Sequence, residues 1–147
     1  MTHVVNLAHH VSCLHASYLR LHQDVFGFSW RRLLSARGGP DYGRWADELL
    51  RLGGELTEVR TTIALIGSLE PDTTLAEDFV EALDCYIMAL TETVERLHSI
   101  CCRLHAEGAG EQAYDEPAAR CDRVAYDVAV QTYKSLGERL NDMFDRL

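Results

Sequence analysis

Two histidines seven residues apart, His15 and His22, stand near the start of the chain. Two more with the same spacing, His98 and His105, stand near its middle. The second pair encloses two adjacent thiols, in His98-Ser-Ile-Cys101-Cys102-Arg-Leu-His105. Imidazole and thiolate are the side chains that hold zinc, copper and iron. Seven residues is almost two turns of α-helix, so each pair occupies one stripe of its helix. If the stripes share a site, His15 and His22 from one helix meet Glu95, His98, Cys101 and His105 from another. That set is a candidate transition-metal or haem site, with Zn, Cu or Fe as the metal. Glu95-x-x-His98 also has the spacing of the carboxylate-bridged di-iron bundles. Those need two such motifs and two further glutamates, whereas this chain offers one motif. The plainer reading is packing, with the histidines flanking a core and Cys101 acting as a small apolar filler.

Other chemistries lack their motifs. There is no G-x-x-x-x-G-K-[ST], no G-x-G-x-x-G after a strand, no G-x-S-x-G and no H-E-x-x-H. The sequence therefore points to a protein that is not an enzyme and needs no cofactor, with the metal or haem bundle as the competing reading. A pH-responsive element is a third, because clustered histidines titrate near neutrality.

The elements that must position these residues are legible in the apolar pattern. Steps of three and four recur in Leu7, Val11, Leu14, Tyr18, Leu21, Val25, then in Trp45, Leu49, Leu52, Leu56, Val59, Ile63, and again in Leu83, Ile87, Leu90, Val94, Leu97, Cys101. These are amphipathic helices, and no segment alternates with the period of a strand. Gly38-Gly39-Pro40-Asp41 ends the first helix and opens the second. Gly67 to Thr74 separates the second from the third, with Thr74 and Glu77 as a capping box. Gly108-Ala109-Gly110 ends the third, and Pro117 suits the first turn of the fourth. The expected helices cover residues 4–37, 41–66, 75–107 and 116–146. Gly53-Gly54 and Gly27 are places for a kink or for close packing. Links of about 4–10 residues join antiparallel neighbours, so the expected architecture is all-α: one domain, 1–147, folded as an up-down-up-down four-helix bundle.

Within this frame His22-Gln-Asp24-Val-Phe-Gly27-Phe-Ser-Trp30 resembles the His-x-Asn-x-x-Gly-x-x-Phe stretch of the ferritin-like, DNA-protecting starvation proteins. The resemblance covers about nine residues. Leu34 stands where that family has its second histidine, and the Asp-x-x-x-Glu pair is missing from register. Neither the ligand set nor the ferritin crossover carries over.

Composition bounds the partners. At 147 residues, 47% apolar and 25% charged, the chain has the size to bury roughly 68–70% of its unfolded surface without disulfides. A net charge of −9 argues against sequence-independent binding of nucleic acid and against an anionic membrane surface. No apolar run reaches the roughly 18 residues of a membrane span. The N-terminus does not have the form of a signal peptide, and the cysteines are odd in number, so an intracellular, cytoplasmic setting with free thiols is expected. Residues 1–51 carry six Arg against four acids, and residues 52–147 carry eight basic against nineteen acidic groups. Such a split suits a protein partner or a homo-oligomer, while the plainer reading is that the helices have differently charged solvated faces. Trp30, Arg31, Arg32, Tyr42, Arg44 and Trp45 cluster around the first loop and are the candidate contact residues, because Trp, Tyr and Arg dominate interface hot spots. Tyr114, Tyr126 and Tyr133, toward and along the last helix, read first as core and rim packing; should the rings of the first loop prove internal, that tyrosine-bearing face is the next surface to consider. The expected function is association with another protein, or with copies of the chain itself, through helix faces.

Overall fold

The computed structural model describes residues 2–27, 40–69 and 74–146, with backbone alone for 2, 67–69 and 74–76. Four helices account for nearly all of it: α1 (Thr2–Phe26), α2 (Tyr42–Leu69), α3 (Thr74–Gly108) and α4 (Glu116–Phe144). No strand occurs among the described residues, and the helices pack as a four-helix bundle. The three-four stripes became the core. Leu49, Leu56, Ile87, Leu90 and Leu97 are completely inaccessible, and Tyr18, Phe79, Leu83, Val94 and Tyr126 nearly so. The buried hydroxyl of Thr93 is satisfied by the Ala89 carbonyl at 2.9 Å.

Helix ends follow local chemistry. Asp41 accepts from the Arg44 amide at 3.1 Å at the start of α2. Asp115 caps α4 by accepting from the Ala118 amide at 2.9 Å, with Pro117 in the first turn, where its missing N–H costs nothing. After α3 the chain turns through Gly110, whose φ of +73° suits glycine. Arg103 and the Tyr114 hydroxyl both reach the Asp122 carboxylate, at 2.8 and 2.7 Å, and pin that turn to α4. Of the expected Thr74–Glu77 capping box, Glu77 stands in the first turn of α3, and the Thr74 side chain lies outside the described set.

One expectation changes. The first helix, expected to run to residue 37, ends at Phe26. Gly27 is not helical, and a side chain there would strike the Gln23 carbonyl oxygen. Residues 28–39 lie outside the described set. At Gly53-Gly54, the expected place for a kink or for close packing, α2 runs on without interruption, and Val94 of α3 lies 3.8 Å from where a Gly53 side chain would begin.

Contacts pair Gly43 with His105, Gly53 with Val94 and Arg60 with Asp84 between α2 and α3. They pair Phe79 with Phe144, Tyr86 with Tyr133 and Arg103 with Asp122 between α3 and α4. Residue numbers rise along one helix as they fall along the other, the order of antiparallel neighbours. Four residues, 70–73, separate α2 from α3, far too few for the full-length crossover of a ferritin-like fold. The bundle is uneven. α3 approaches the other three helices closely, whereas among the described residues no Cα of α1 comes within 8 Å of one in α4.

Candidate functional site

The seam between α1 and α4 is where the polar side chains gather. Bundle helices ordinarily pack 8–10 Å apart. Here large rings hold the two backbones further apart and then fill the gap. His15 and His22 on α1 face Tyr133 and Tyr126 on α4, each pair of residues seven apart. The His15 ring meets Tyr133 edge-on at 5.5 Å, and the His22 ring stacks on Tyr126 at 5.7 Å with 19° between planes. Tyr18, between the histidines, meets Tyr133 edge-on at 5.7 Å. Tyr86 joins from α3, 6.2 Å from Tyr133. Gly137 lets it in, because a side chain there would begin 3.1 Å from the Tyr86 ring.

One hydrogen-bonded chain threads these rings. The Tyr126 hydroxyl bonds both the Tyr18 hydroxyl and Nδ1 of His22. Burial holds His22 below its ordinary value, helped by the positive charges of Arg123 and Lys134 and opposed by Asp127. A neutral His22 accepts at Nδ1, so Tyr18 donating to Tyr126 and Tyr126 donating to His22 satisfies all three groups. Burial likewise raises the tyrosines: Tyr86 is pushed up to about 12, Tyr133 is raised, and Tyr18 and Tyr126 lie higher still. None of them is an acid at neutral pH. Beside the chain, the Arg123 guanidinium lies 3.8 Å over the Phe26 ring and bonds Asp127 at 3.1 Å.

Toward the α1 N-terminus the facing residues become small, and the seam opens into a groove of about 450 Å³. Ala8, Val11 and Ser12 form one wall, Gly137, Leu140 and Asn141 the other, and Phe79 and Leu83 of α3 the floor. His15 and Lys134 lie on the groove where it meets the aromatic rings. Nε2 of His15 is buried and has no hydrogen-bond partner among the described residues. Burial, then the Lys134 charge, lowers the His15 pKa.

The structure separates the residues of the candidate metal site. His15 and His22 face the α4 tyrosines. His105 packs against Gly43 of α2, where a side chain would begin 3.0 Å from its ring. His98 bonds Cys102 of its own helix at 3.5 Å, Nε2 to Sγ. Glu95 is exposed. Cys101 is fully buried, and burial, with Cys102 beside it, pushes its thiol up to about 12. Among the described residues no three His, Cys, Asp or Glu side chains group as metal ligands.

The candidate contact residues fare unevenly. Trp45 is a correction: it is 3% exposed, packed edge-on against a half-buried Tyr42 at 5.5 Å, and so belongs to the core. The reason is register, since Trp45 falls in the same stripe as Leu49 and Leu52. Arg44 is exposed, and Trp30, Arg31 and Arg32 lie outside the described residues. The large apolar side chains that face solvent most are elsewhere: Leu50 and Leu65 on α2, at 64% and 61%, and Val124 and Val128 on α4, with Met88, Leu19 and Phe144 exposed to a lesser degree. No described helix is long and apolar enough to cross a membrane. Comparison with protein-family models, curated proteins and solved structures finds no match to this chain.

Proposed function

We propose that this protein works by association rather than by catalysis, through the outer face of α2. The observation that carries the reading is the stripe Leu50, Gly54, Thr57, Thr61 and Leu65. Its steps of four and three place all five residues on one line of the helix, directed away from the core. The Thr57 hydroxyl donates to the Gly53 carbonyl at 3.0 Å and that of Thr61 to the Thr57 carbonyl at 3.2 Å. Their polar atoms are thus engaged by their own helix, and a partner meets methyl groups. The stripe carries no charge in a chain that is 25% charged, and exposed Arg51 and Glu58 flank it. An apolar strip with a polar rim is the anatomy of an interface. Gly54 presents nothing outward, so a second helix can approach closely there.

A second copy of the chain is the simplest partner, and the split between a basic first third and an acidic remainder favours such contact. The five free thiols are in keeping with a cytoplasmic setting. The test is mass by light scattering across a concentration series, for the native chain and for Leu50→Glu/Leu65→Glu. The native chain is expected to self-associate and the variant to stay monomeric with unchanged helicity. A native chain that is monomeric throughout, and that crosslinks to no protein through a photoreactive side chain in place of Leu50, would overturn the reading.

A further inference from the structure

The groove between α1 and α4 is separate from the α2 stripe, and it has the build of a ligand site. Its volume of about 450 Å³ falls in the 300–1,000 Å³ range of small-molecule pockets. Its chemistry is graded along its length. In the antiparallel register that sets His15 against Tyr133, Ala8 falls opposite Leu140. The end near Ala8, Phe79, Leu140 and Phe144 is therefore mainly apolar, with Asn141 a polar side chain on its wall, while the end near His15 and Lys134 is polar.

Two features of that polar end lack partners. His15 Nε2 is buried and bonds nothing among the described residues. A buried polar atom left unpaired is costly and rare enough to need a reason. Lys134 is the single lysine of the chain and makes no ion pair among the described residues. Its ammonium is the charge that acts on His15. Glu138 lines the same wall one turn further along α4. A negative group on a ligand is drawn to Lys134 and repelled by Glu138, so the two together give a bound anion one orientation.

We propose that this groove binds an apolar monocarboxylate, its carboxylate on Lys134 Nζ and, with a turn of the imidazole that brings its buried nitrogen to the groove, on His15 Nε2, and its hydrocarbon body along Phe79, Leu83, Leu140 and Phe144. A carboxylate supplies two acceptor oxygens, one for the ammonium and one for an imidazole N–H, and the charge-assisted bonds it forms are the strong kind.

The test is calorimetric titration of the full chain with decanoate below its micellar concentration. Decanol and decyltrimethylammonium keep the tail and change the head. Decanoate is expected to bind saturably, one per chain, at least tenfold more tightly than either comparator. Lys134→Gln should weaken decanoate about tenfold and leave decanol unchanged. His15→Phe, which keeps the ring and removes the unpaired nitrogen, should weaken decanoate and raise the melting temperature of the ligand-free protein. Ser12→Trp, at an exposed position on the groove wall, should abolish binding with helicity intact. Absence of saturable decanoate binding, equal affinity for decanol, or a Ser12→Trp variant that binds as well as the native chain would each overturn the proposal.

Discussion

His22 on α1 and Tyr126 on α4 are joined by a hydrogen bond across a seam that their own backbones leave open. The same Tyr126 hydroxyl bonds Tyr18, so deleting one oxygen strands a buried hydroxyl and a half-buried imidazole. Tyr126→Phe is expected to cost about 1–3 kcal/mol of stability, the range for buried groups left unsatisfied. Tyr18→Phe combined with Tyr126→Phe should cost less than the sum of the two, since both act on one network. Urea unfolding of the three variants checks this, and strict additivity would sink it.

Stability should fall on mild acidification. Burial and neighbouring positive charges hold His15 and His22 below the ordinary 6.5, with Lys134 acting on both, Arg123 on His22, and Asp127 opposing at His22. Between the folded and unfolded values the unfolded chain binds more protons, so stability is full above about pH 6.5 and is lost as the pH falls toward the lowered folded values. Unfolding free energies at pH 7.5 and 5.5 should show the drop, and His15→Phe/His22→Gln should reduce it. An equally steep loss in that double variant would assign the effect to other groups.

The apolar pattern revealed most of the bundle because burial is what it encodes. Leu49, Ile87, Leu90 and Leu97 could be placed inside from spacing alone. The seam chemistry was only half visible. The seven-residue spacing of His15 and His22 stood out, but Tyr126 and Tyr133, with the same spacing, read as ordinary packing. The two ladders meet only once α1 is set against α4 in one register, and register between distant helices is absent from a local pattern. For the same reason His98 and His105 looked like their counterparts, although one bonds its own helix and the other packs on α2. Trp45 was misjudged because residue type was weighed above its place in the stripe of Leu49 and Leu52.

Truncating Trp45 should therefore act on folding. Trp45→Ala empties a core position, and such changes cost about 3–5 kcal/mol. Thermal unfolding of the variant should show a large drop in midpoint. A variant with native stability and impaired association would return Trp45 to the surface role first expected of it.

The glycines of the bundle should separate by what faces them. Gly54 points into open space and Gly53 has only Val94 at 3.8 Å, so replacing either by Ala should stabilise by up to about 1 kcal/mol through helix propensity. Gly137→Ala sets a methyl 3.1 Å from the Tyr86 ring and should gain less or lose. Chemical denaturation of the three single variants decides, and a gain at position 137 equal to that at 54 contradicts the packing described.

Native thiol labelling should be selective. Cys13, Cys85, Cys102 and Cys121 are exposed, whereas Cys101 is buried with its thiol pushed up to about 12. Only the thiolate reacts, so Cys101 should resist alkylation until the chain is unfolded. Mass spectrometry after a short iodoacetamide pulse should find four sites modified. Rapid modification of Cys101 would mean that the α3 core opens easily.

The uneven packing of the last helix sets how the bundle comes apart. α4 lies close to one other backbone, that of α3, and reaches α1 only through side-chain tips. Peeling it away would break the Tyr126 bonds and expose the groove floor, yet leave α1, α2 and α3 in mutual contact. Amide protons of α4 should then exchange through a partial opening, at lower cost than those of α3, whose release demands that the whole molecule unfold. The C-terminal helix is in this sense a hinged stave on a three-helix barrel, and the tyrosine–histidine chain is its latch.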